Sequence, residues 1–205
     1  MLRSALCLAM CEALGDDLQA CLPTAVSVEF IHRTSLVSDD IQDRSPIRNG
    51  RPTVQARWGD GQAVNAGLAL SSYSRLSLVG SKVADRARIQ GHLEQAVLDL
   101  CQGQHMDLAF RDSPPTPQQY TEMVLRKTGI LLGAACKVGA IVADQPDAVW
   151  ARAALFGEPW AWPSFARTTT WECGETGRCW GRSRTTWRSG GAASPWFSPQ
   201  RRTPR

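Results

Sequence analysis

The sequence has no long apolar run, no strand-like alternation and no paired-cysteine spacing. A bilayer-crossing helix needs roughly 20 consecutive apolar residues, and nothing here approaches that, so a transmembrane segment is not expected. The opening Met1-Leu-Arg-Ser-Ala-Leu-Cys-Leu-Ala-Met is apolar enough to suggest an export signal. Glu12 interrupts it and no clean small-residue cleavage site follows, so it reads as a helix. Apolar–polar alternation of period two is missing, which excludes the β classes and points to an all-α fold. No internal repeat is evident. The seven cysteines are odd in number and lack CxxC spacing, which argues against a disulfide framework or a zinc finger. Most sit in apolar helical stretches, where a free thiol packs as a small hydrophobe. A reducing, cytoplasmic setting is the expectation. Acid is nearly absent from the last fifty residues, so the net charge of +4 averages an acidic body and a basic tail.

What is present is a chain of 205 residues with 43 % apolar content, enough for one domain with its own core. Apolar spacing predicts helices over about 2–15, 60–80, 87–111, 118–143 and 145–156. The one over 87–111 is expected to break at Gly103-Gln104. Another is expected to open at Pro23 and to present Val26, Phe30, Val37 and Ile41 as its apolar stripe. Arg44 to Thr53, with two prolines and a glycine, reads as a loop. Gly15 and Pro114-Pro115-Thr-Pro117 mark turns.

The most informative stretch is Ser35 to Arg44, which holds Asp39, Asp40 and Asp43. In a helix that advances about 100° per residue, Asp39 and Asp43 share a face and Asp40 lies beside them. Three such carboxylates repel one another unless a cation covers them. Mg²⁺ suits them, because it prefers carboxylate oxygen and shares its shell with water and phosphate. The plain alternative is a solvated acidic helix end. His32 falls within about 40° of Asp39 and Asp43 on the same wheel. Arg48 follows in the loop, where a guanidinium fork matches phosphate oxygens. Local salt bridging to the aspartates is its bland reading. Lys127 and Thr128 interrupt the 118–143 helix. A mid-helix lysine is normally solvated, but one followed by Thr-Gly can hold phosphate at a local break.

These motifs, in this order and spacing, resemble the trans-polyprenyl diphosphate synthases of the polyprenyl synthetase family. The resemblance rests on Leu36-x-x-Asp-Asp-x-x-Asp43, Arg48-x-Gly-x-Pro-Thr53, Gly103-Gln104 and Lys127-Thr-Gly129, and covers about residues 1–155. It implies an isoprenoid-synthase helical bundle, homodimeric in intact relatives. It also implies a condensation of isopentenyl diphosphate with an allylic diphosphate. Asp39, Asp40 and Asp43 would then hold Mg²⁺, with Arg48, Lys127 and Thr128 on the allylic diphosphate. Arg3, His32 and the Asn49 position would belong to the isopentenyl diphosphate site. Asn49 stands where the family has a second arginine, which should weaken that site. Leu68 stands where the family has aspartate after Gly67. The small Thr34, five residues before Asp39, favours a product of C20 or longer. A non-catalytic subunit that binds an allylic diphosphate is the alternative. A terpene cyclase shares the acidic motif, but the Arg48 and Lys127 segments favour the chain-elongating synthases.

Two departures concern the ends. Only Arg3 of the family's Gly-Lys-x-x-Arg motif is present, so the first family helix is expected to be absent. After Leu155 no second aspartate-rich motif occurs. Residues 157–205 instead carry six tryptophans among Arg, Gly, Ser, Thr and Pro, without helical or strand period. Such a tail reads as disordered; nucleic-acid binding is a competing reading and is not expected. A shift of reading frame accounts for it better. Tryptophan has one codon, so some shifted residues are forced. Glu158 to Pro163 can then read Ala-Leu-Gly-Leu-Ala, and Arg167 to Thr176 can read Asp-Asp-Tyr-Leu-Gly-Val-Trp-Gly-Asp. Both resemble the family's second motif and its approach. The expected organisation is therefore a partial, incomplete helical domain over 1–156 and a non-homologous tail over 157–205.

Overall fold

The computed structural model describes residues 1–81, 83 and 85–162. The frame-shifted motif, the Arg/Trp tail, Cys173 and Cys179 lie outside the described residues. Helix α1 spans Leu2–Ala13 and buries Cys7 and Cys11. Gly15, at φ +91°, turns the chain, a conformation that glycine adopts without penalty. Helix α2 spans Leu18–Asp43. Its start is set by Asp17, whose carboxylate accepts from the Gln19 backbone N–H at 3.0 Å. Pro23 therefore lies inside the helix rather than at its opening, and α2 forgoes one backbone hydrogen bond there.

The buried face of α2 also differs from the expected stripe. Cys21, Thr24, Ala25, Val28 and Ile31 face the core, while Val26 is 42 % exposed. Small side chains let α2 lie close to α1, and Ser27 satisfies its hydroxyl against Ser74 at 2.9 Å. Counting only large apolar residues selects the wrong face. Phe30, from the expected stripe, instead stacks on Tyr73 with ring centroids 5.7 Å apart.

The 44–53 loop contains a small hairpin, a strand element that apolar periodicity did not show. Strand β1 (Ile47–Arg48) pairs antiparallel with β2 (Arg51–Pro52). Asn49 and Gly50 join them at φ 51° and 72°. An Asn-Gly pair at positive φ is the favoured two-residue hairpin turn. Helix α3 (Val54–Trp58) starts at Thr53, whose hydroxyl accepts from the Ala56 backbone N–H and donates to the Ser45 carbonyl. Helix α4 spans Asp60–Val79 and packs on α2.

Helix α5 runs unbroken over Arg86–Ala109, straight through Gly103-Gln104. Helix α6 (Pro117–Val124) opens on a capping box formed by Thr116 and Gln119. A wide π turn over Leu125–Gly129 separates it from helix α7 (Ile130–Val142), so the expected interruption at Lys127 and Thr128 is present. Helix α7 is the centre of the bundle. Every residue from Leu131 to Val142 is buried except Lys137, and α1, α2, α5 and α8 (Asp147–Gly157) surround it. A helix apolar on all sides needs such cover. At its crossing with α1, a Cβ on Gly139 would lie 2.4 Å from the Cys7 carbonyl oxygen, so only glycine fits. A 3₁₀ turn over Glu158–Trp160 follows α8, and Ala161 is fully buried beyond it. Cys7, Cys11, Cys21 and Cys136 are buried free thiols, and Cys101 is free and exposed. Among the described residues, no helix is long and apolar enough to cross a membrane.

Candidate functional site

The last turn of α2 carries Asp39, Asp40 and Asp43, and four elements converge on it. The hairpin brings Arg48, whose Nε donates to Asp40 at 2.8 Å and whose Nη2 reaches Asp39 at 3.4 Å. The π turn brings Lys127, whose Nζ lies 3.3 Å from Asp39. Helix α5 brings Asp107, which accepts from Lys127 at 2.6 Å, and Gln104, which donates to Gln42 at 2.7 Å. The turn after α5 brings Arg111, which pairs with Asp43 and lies 3.4 Å from the Gln42 carbonyl oxygen.

The π turn owes its position to Gly103. A Cβ there would meet the Lys127 backbone nitrogen at 2.4 Å and the Arg126 carbonyl carbon at 2.8 Å. Without that Cβ, α5 lies directly against the turn that holds Lys127. π turns are rare and concentrate at functional sites. Lys127 is half-buried. Burial by itself would lower its pKa, but Asp39 first, then Asp107 and Asp43, more than offset this and hold it above the usual lysine value. The ammonium therefore stays charged beside the carboxylates. Thr128 follows in the same turn.

A second cluster lies roughly 10 Å along the α2 axis, seven residues before Asp39. Arg3 from α1 donates to Nε2 of His32 at 2.9 Å. Burial lowers the His32 pKa to about 3, and the neighbouring Arg3 charge adds to this, so the ring is neutral at physiological pH. Arg3 itself falls to about 10, mainly through burial, with Glu29 opposing. Two buried atoms here, Nε of Arg3 and Nδ1 of His32, have no hydrogen-bond partner. Buried polar atoms are rarely left so. Asn49 is exposed in the hairpin turn, directly after Arg48.

All three aspartates offer hard oxygen, the donor type Mg²⁺ prefers. As folded, each is drawn to a cation: Asp39 to Lys127 and Arg48, Asp40 to Arg48, and Asp43 to Arg111. Among the described residues, no three His, Cys, Asp or Glu side chains converge on one metal position. The donor set fits Mg²⁺ in chemistry, and binding requires the carboxylates to exchange partners. Sequence reading missed Asp107 and Arg111. Their one signal is spacing: Gly103, Asp107 and Arg111 recur every four residues along α5 and just past its end.

A family model described as polyprenyl synthetase matches residues 1–161. The chain belongs to the polyprenyl synthetase family. The geranylgeranyl diphosphate synthase of Methanosarcina mazei is 37 % identical over 151 residues, 72 % of this chain and 47 % of its own. A short chain isoprenyl diphosphate synthase of Methanocaldococcus jannaschii is also 37 % identical, over 63 % of this chain and 40 % of its own. The chain thus spans about half the length of the curated relatives it matches. Among solved structures, the geranylgeranyl pyrophosphate synthetase of the archaeon Geoglobus acetivorans superposes with a TM-score of 0.74 at 30 % identity, covering 77 % of this chain and 52 % of that one. The corresponding enzyme of Pyrococcus horikoshii gives 0.73 at 34 % identity. The expected all-α isoprenoid-synthase fold is therefore present.

Proposed function

We propose that the described residues form the allylic-diphosphate half of a polyprenyl diphosphate synthase site. The observation that carries this reading is the convergence of Asp39, Asp40 and Asp43 with Arg48 and Lys127 at the end of α2. Arg48, Lys127 and Thr128 bind the diphosphate and orient its scissile C–O bond. That bond breaks with its electron pair on the departing oxygen. The double bond of isopentenyl diphosphate then captures the allylic cation, and the tertiary cation so formed loses a proton from the adjacent carbon to the released diphosphate, which leaves the new double bond. Asp39, Asp40 and Asp43 would hold Mg²⁺, which when bound would supply electrostatic stabilisation of the leaving diphosphate. Arg3 and His32 bind the isopentenyl diphosphate, and Asn49, standing where the family has a second arginine, weakens that binding. The small Thr34 leaves room for a product of C20 or longer.

Residues 157–205 are proposed to be encoded out of frame, so that the facing half of the site is missing from this chain. Resequencing codons 145–205 from independent DNA tests this, and an unbroken read without the shift contradicts a sequencing error. For the reaction, a chain with the frame restored should convert labelled isopentenyl diphosphate and an allylic diphosphate into an acid-labile prenyl product in a Mg²⁺-dependent manner. Asp39→Asn should cut the rate by more than roughly a hundredfold. Absence of product, or product undiminished by Asp39→Asn, overturns the reading. A C15 product overturns the length assignment alone. The lack of a second aspartate-rich motif between Leu155 and Arg205 favours a second reading, in which this chain binds an allylic diphosphate without turnover.

The homodimer implied by the family is placed on α2 and α4. Leu18, Leu22 and Val26 on α2 are exposed, as are Val64, Leu68, Leu76 and Val79 on α4. An apolar surface of this kind calls for a partner. Sedimentation velocity should show a dimer that Leu76→Asp dissociates; a monomeric wild type contradicts this assignment.

A further inference from the structure

We infer that Arg111 is a positioning residue that sets the metal threshold of this site, by holding Asp43 in an ion pair that the metal must break. The inference rests on the metal–diphosphate reading above and deepens it. Arg48 and Lys127 lie in the motifs of the family resemblance; Arg111 lies in none of them. It sits just past the end of α5, and one arm of its guanidinium fork contacts Asp43 while the other points at the Gln42 carbonyl oxygen. The Asp43 side chain is only 4 % exposed. A carboxylate buried to that degree needs compensating charge. Arg111 supplies it from a side chain that is 35 % exposed and so has room to swing toward solvent.

The consequence is a competition. Asp43 cannot serve a cation in the cleft and Arg111 at full strength together, so metal binding must offset the lost ion pair. Arg111 then lies freed at the rim of the cleft, where a diphosphate gives its charge a new partner. Metal is therefore held weakly when it arrives alone, and more tightly when it arrives with the anion. A residue that merely shaped the turn after α5 would do the opposite: its loss would loosen the site and weaken metal binding.

The sign of one measurement separates the two. Mn²⁺ is a paramagnetic probe with the same taste for oxygen ligands. Its free concentration is read by electron paramagnetic resonance in a titration of the full chain, without diphosphate and at fixed ionic strength, because salt screens such pairs. Arg111→Gln should bind Mn²⁺ roughly three- to tenfold more tightly than wild type. Arg111→Lys, which keeps the charge but loses the fork, should fall between them. Equal or weaker binding by a folded Arg111→Gln chain overturns the inference and leaves the metal-site reading standing. Should Arg111→Gln fail to fold, Arg111→Lys decides by the same sign. No saturable Mn²⁺ binding by either wild type or a folded Arg111→Gln chain overturns both.

Discussion

At the scale of the residue, the site is a set of charges held in mutual compensation. Asp39, Asp40 and Asp43 were legible from their helical spacing, and so was the presence of cations near them. The sequence did not show which cation meets which carboxylate, because Arg48, Lys127 and Arg111 arrive from three separate elements and only the fold pairs them. The salt-bridging reading of Arg48 is correct, since it pairs with Asp39 and Asp40, whereas the aspartates are not simply a solvated helix end. That pairing is compatible with the functional reading, since a cation parked on a carboxylate is poised to move to a phosphate. His32 gives a residue-scale prediction. Its folded pKa of about 3 lies below the ordinary 6.5, chiefly through burial. Between those values the unfolded chain takes up a proton that the folded chain refuses. The unfolded state therefore binds more protons, and stability falls as pH drops from about 6.5 toward 3. In denaturant titrations across that window, His32→Gln should lose stability less steeply than wild type. Parallel curves would show that His32 is not neutral in the fold.

At the scale of the element, helices were easier to read than their faces and breaks. The limits of α1, α4 and α8 follow apolar spacing. The buried face of α2 did not, because Cys21, Thr24 and Ala25 make that contact where large apolar residues were expected. Gly103 misled for a related reason. A glycine inside a helical pattern suggests a break, whereas here it thins one side of a continuous helix so that the π turn can seat against it. Gly103→Ala should therefore leave α5 helical, cost about 1–3 kcal/mol of stability as an overpacked contact, and displace Lys127. Thermal unfolding together with diphosphate affinity checks this. A stabilised Gly103→Ala chain, as helix propensity alone would give, contradicts the close approach.

At the scale of the whole molecule, the described residues make a bundle with α7 at its centre and, at the end of α2, the cluster proposed as half of a family site. Leu155, Phe156, Trp160 and Trp162 stand exposed at the end of the described chain, and the chain spans about half of its relatives' length. The family fold was legible because its motifs are spaced along elements that the sequence marks clearly. The balance of the whole was not, because it depends on what covers those apolar residues. The most direct test of the central claim is calorimetric titration of this chain with a non-hydrolysable allylic thiodiphosphate, with and without Mg²⁺. Saturable binding that requires Mg²⁺ and is lost in Asp39→Asn/Asp43→Asn is the predicted result; binding that ignores Mg²⁺, or that survives both substitutions, contradicts it.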